Sequence, residues 1–156
     1  TKGKAIFPTP NIAGVGLIND LTKVVDTHFS KENEIIYIIG ETKGDIGQSM
    51  LLKTILNLEE GSPPEVDLKE EKKNGDFVRN LILDQIISSC HDISDGGLYY
   101  ALVEMALPKK IGANLKILED LGFLFGEDQS RYIITIKAEN ENNFIAKSKD
   151  LNVTIT

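Results

Sequence analysis

The stretch CHDISDGGLYYALVEMAL, residues 90–107, sets a histidine, two aspartates and a glycine pair directly ahead of a helical pattern. Leu98, Ala101, Leu102, Met105 and Ala106 recur at i, i+3, i+4, i+7 and i+8, one face of an amphipathic helix. Pro108 ends that helix, because proline lacks an N–H and clashes with the turn before it. Asp95 stands where an N-cap carboxylate accepts a free backbone N–H, and Gly96 and Gly97 permit positive φ and a close backbone approach. A helix starting there points unpaired N–H groups and a positive dipole end outward, which suits an anion. His91 and Asp92 would then face a metal, a ribose or a neighbouring segment. The same residues also make a plain polar turn, with Asp95 capping the helix and Asp92 tying down the loop.

Around this centre the chain alternates extended and helical patterns. IIYIIG (35–40) is a β-branched and aromatic run closed by Gly40, as in a strand buried on both faces. ANLKI (113–117) and YIITI (132–136) read as strands, NIAGVGLI (11–18) as a strand broken by Gly14 and Gly16, and VTI (153–155) as a short last strand. Leu51, Ile55 and Leu58 fall at helical spacing after the breaker-rich TKGDIG. The polar stretch 59–76 reads as a surface connection, with its Lys and Glu cluster at 69–73 as the solvated approach to a helix bearing Phe77, Val78, Leu81, Ile82 and Ile86. A further helix is predicted within 139–148. The fold class that follows is α+β: a central mixed sheet covered by helices.

Two other stretches carry candidate chemistry. FGEDQSRY (125–132) gathers Glu127, Asp128, Gln129 and Arg131, which suit ribose hydroxyls or an amide substrate and suit a hydrogen-bonded turn equally well. In PTPNIAGVGL (8–17), Pro8 and Pro10 stiffen an extended entry and the two glycines leave a bare backbone.

Bulk properties exclude several classes. The 156 residues are enough for one domain with a real core, and 41% hydrophobic with 26% charged residues is ordinary globular composition. Seventeen basic against 24 acidic side chains give a net charge of −7, which argues against nucleic acid and against an anionic membrane as partner. Cys90 is the single cysteine and His28 and His91 the two histidines, so an internal disulfide is impossible and a structural zinc site is not expected. No apolar run approaches the roughly 20 residues that span a bilayer, and the expectation is a cytoplasmic protein. Because the chain starts on TKGKA and its last strand arrives within two residues of the end with nothing after it, it reads as a fragment of something longer.

GKAIFPTPNIAGVGLI (3–18), VDLKEEKKNGDFVRNLI (66–82), SCHDISDGGLYYALVEMAL (89–107) and FLFGEDQSRYIITI (123–136) occur in that order. Together they resemble the C-terminal domain of the phosphoribosylformylglycinamidine synthase family, the large synthetase subunit of purine (IMP) biosynthesis. HDISDGGL and PTPNIAGVGL are similar to the second of the family's two copies of an ATP-binding half followed by a C-terminal half. Thiamine-monophosphate kinases carry a similar phrase with one glycine fewer, and selenophosphate synthetases differ more. DIGQSM (45–50) departs from the family, whose loop is richer in glycine and usually carries an aromatic residue after its serine.

The resemblance implies a single domain over 1–156 with the fold of the aminoimidazole ribonucleotide synthetase C-terminal domain. It implies a glutamine-dependent ligase using ATP and magnesium, in which formylglycinamide ribonucleotide and ammonia give the amidine, ADP and phosphate. The family's catalytic histidine and metal ligands lie in the ATP-binding halves. This chain is therefore expected to hold no catalytic or metal residue, to need no cofactor of its own and to be inactive alone. His91, Asp92, Asp95, Gly96, Gly97, Glu127, Asp128 and Gln129 become candidates for the nucleotide or substrate side. The implied partners are the ATP-binding halves of the subunit, a glutaminase and a small accessory subunit. The competing expectations are a stand-alone nucleotide- or partner-binding module of the same fold, or a relative of the thiamine-monophosphate kinases or selenophosphate synthetases.

Overall fold

In the computed structural model, which describes residues 3, 9–116 and 120–156, the YIITI run is the middle of the sheet. Strand β3 (Tyr132–Ile136) pairs antiparallel with β1 (Ile35–Ile39) on one side and β2 (Ile87–Asp92) on the other, in the order β1-β3-β2. Its central position explains its composition. Ile133, Ile134, Thr135 and Ile136 are all buried, so both faces of the strand must be apolar or satisfied. Thr135 meets that demand by donating to Glu34 Oε2 at 2.9 Å and sharing a hydrogen bond with Ser89 at 2.7 Å.

Side chains alternate between two cores. Ile134 and Ile136 join Ile39, Phe77, Leu81 and Phe144 under α1 (Leu68–Leu83) and α4 (Glu141–Asp150). Ile133 and Ile38 face the other way, onto Leu98, Ala101, Leu102 and Met105 of α2 (Gly97–Ala106). The expected helices over 98–106 and 139–148 and the strands at 35–40 and 132–136 are thus in place. Short bridges extend the sheet at both edges. Ile155 pairs antiparallel with Ile39, fulfilling the short last strand, and Asp26 pairs parallel with Ser89, which gives the sheet its mixed character. Cys90 on β2 packs against the α1/α4 core, and burial pushes its thiol up to about 12.

Four expectations of secondary structure fail. The connection read over 59–76 stops at Asp67, whose carboxylate accepts from Lys69 and Glu70 N–H and starts α1 there. The Lys and Glu cluster is the first two turns of that helix, where Glu70 and Glu71 suit the dipole, and Gly75 sits in mid-helix at a cost of about 1 kcal/mol. Residues 11–18 form no strand: Ile12, Val15 and Leu17 are almost fully exposed, and none of the described residues approaches Gly14 or Gly16 within 4 Å. No described segment offers them a ladder, so their backbone groups face water; Pro8 lies outside the described residues. Residues 113–116 are likewise not a strand, and Ile117 lies outside the described residues. Leu51–Leu56 form a π-helical turn rather than a core-facing helix, with Ile55 and Leu58 exposed. Finally, β2 and α3 (Leu121–Phe125) were not anticipated; Asp120 caps α3 by accepting from Gly122 N–H at 2.9 Å.

Candidate functional site

β2 delivers His91 and Asp92 to the mouth of the glycine turn, Ile93 anchors that turn in the α2 core, and α2 departs from Gly97. Both glycines take positive φ, +81° at Gly96 and +68° at Gly97, where their order before the helix predicts it for one of the two. Gly97 is needed for closeness as well, because the end of α3 lies against it.

Asp95 does not cap the helix. Two left-handed residues in succession turn the chain away before the first helical turn, leaving Asp95 exposed and Gly96 as the residue preceding the helix. The carboxylate that serves instead is Glu127, 31 residues further on. Its Oε1 accepts from Gly96 N–H and from Met50 N–H, each at 2.8 Å. The anion suited to this helix start is therefore the protein's own, and it ties the 45–50 loop to the glycine turn. Accordingly, Asp95→Ala leaves stability within about 0.5 kcal/mol of wild type, while Glu127→Ala costs about 1 kcal/mol; urea unfolding of the two variants checks the pair. A larger loss for Asp95 than for Glu127 would restore the cap expected from the sequence.

Asp128, the next residue, fills a second cradle. It is buried, and its two oxygens accept from the N–H groups of Lys43, Gly44 and Asp45, all at 3.0 Å. Arg131 lies alongside with its side chain fully buried and NH1 3.7 Å from Asp128 Oδ2. Its guanidinium also donates to Gly126 O at 2.6 Å, Asp128 O at 3.2 Å and Thr42 Oγ1 at 3.2 Å. Burial pulls the Arg131 pKa down and the Asp128 charge opposes it. Gln129 is exposed at the rim.

His91 holds a separate polar contact. Its Nδ1 lies 2.6 Å from Asp92 O; a carbonyl only accepts, so this nitrogen carries the proton. Nε2 points at Glu104 on α2, 3.5 Å away. The eight candidates thus fall into three groups. Glu127, Asp128, Gly96 and Gly97 build the frame; His91 and Asp92 sit together at the end of β2; Asp95 and Gln129 face solvent. Sequence reasoning missed Glu104 and the Lys43–Asp45 amides; the glycine in KGD was the only local sign of the latter. It also gave no role to Asn74, a buried residue in a polar helical turn. Among the described residues no group of three or more His, Cys, Asp or Glu is placed to hold a metal ion, and no helix is long and apolar enough to cross a membrane.

The family model described as AIR synthase related protein, C-terminal domain, matches residues 31–156. A phosphoribosylformylglycinamidine synthase subunit PurL from Azorhizobium caulinodans is 42% identical over 160 residues, covering 100% of this chain and 22% of the relative. Its counterpart from Bradyrhizobium diazoefficiens is 46% identical over 157 residues, covering 98% of this chain and 21% of the relative. The chain thus spans about a fifth of the length of the curated relatives it matches. Among solved structures, T. maritima PurL complexed with FGAR superposes with a TM-score of 0.70 at 16% identity, over 86% of this chain and 25% of that one. The PurLQS structure from Thermotoga maritima gives 0.59 at 17% identity, over 86% and 23%. These two likenesses establish the fold.

Proposed function

The chain belongs to the AIR synthase related protein family, through the C-terminal domain of that family, and from this premise we propose that it serves as the C-terminal domain of a phosphoribosylformylglycinamidine synthase. In that reaction ATP activates the amide oxygen of formylglycinamide ribonucleotide, ammonia attacks the carbon, and phosphate leaves as the C–N bond forms. The observation that carries the reading is identity of 42% and 46% along essentially the whole chain to subunits bearing that name.

The domain's part is positional. Glu127 and Asp128 lock the 43–50 loop to the start of α2, so the loop and the glycine turn present one surface. On that surface Asp95 and Gln129 are free to reach a ligand, and His91 can exchange its Glu104 contact for one. On this reading the metal and the reacting phosphates are held by other segments of the longer protein. The partners are those segments, a glutaminase and a small accessory subunit, and the compartment is the cytoplasm.

A domain exchange tests this. A PurL relative lacking its matching segment makes no ADP from formylglycinamide ribonucleotide, ATP and ammonium, and inserting this chain restores ADP release. The chain alone releases none. Turnover by the chain alone, or no recovery from a soluble, folded chimera, would refute the assignment.

A further inference from the structure

We draw no further inference here: the strongest candidate, the uncharged apolar segment 11–18 ahead of the sheet, with Ile12, Val15 and Leu17 almost fully exposed, is an unpartnered face, and nothing in the structure shows what covers it.

Discussion

Asp128→Ala loses about 3–5 kcal/mol of unfolding free energy, the range for removing one partner of a buried charge pair. Three backbone N–H groups, those of Lys43, Gly44 and Asp45, lose their acceptor at once. Arg131 keeps Gly126 O, Asp128 O and Thr42 Oγ1, so its N–H groups stay largely satisfied. What it loses is charge balance, in a place where its side chain has no access to water. Asp128→Asn separates the two effects. The amide oxygen still accepts from the loop but carries no charge, so its cost falls between wild type and alanine. A domain of this size has about 5–15 kcal/mol in total, so the alanine variant sits near the edge of folding at 37 °C. Urea unfolding with an unchanged m-value measures the loss. Less than about 1 kcal/mol for Asp128→Ala would mean that water reaches the cradle and that Asp128 is free to serve a ligand.

What could be read from the chain, and what could not, follows the range of the interactions. β3 and α2 were legible because their signals are local: after Tyr132 every residue of YIITI is β-branched, and the α2 stripe repeats at helical spacing. The start of α1 was equally local, with Asp67 three residues ahead of Glu70, but two prolines and Gly75 drew the reading toward a loop. β2 was hidden because its buried Ser89 looks like a turn residue until Thr135, 46 positions away, is placed beside it. At 11–18 the error was of the opposite kind. An apolar extended pattern is only half of a strand, and the other half must come from a partner. The site repeats the lesson: a positive φ at the glycine pair was legible from local order, whereas the capping carboxylate came from Glu127. Local pattern named the need for an acceptor at the helix start; only the fold names which carboxylate meets it.

Gly97→Ala tests how rigid that meeting point is, with an expected loss of about 2–4 kcal/mol. Two costs add. An alanine held at φ +68° pays the left-handed penalty of about 1–2 kcal/mol. Its Cβ would also lie 2.6 Å from Gly126 O, 2.7 Å from Phe125 C and 2.8 Å from Phe125 Cα, all backbone atoms of the α3 terminus. No rotamer change relieves such a contact, so either α2 or α3 must move. Moving α3 is resisted by Arg131 on Gly126 O and by the Glu127 N–H bond to Asp45 O at 2.9 Å. Moving α2 draws Gly96 N–H away from Glu127 and parts Glu104 from His91. The substitution therefore reaches the candidate surface as well as stability. If the domain serves as proposed, Gly97→Ala in the longer protein lowers FGAR-dependent turnover even at temperatures where the variant is folded. Gly112→Ala is the control: none of the described residues lies within 4 Å of its added Cβ and its φ is not positive, so it stays within about 0.5 kcal/mol of wild type. If Gly97→Ala also stays within that margin, the α2–α3 contact yields without cost, and the doubled glycine must be explained by a ligand's approach to the backbone instead of by the fold.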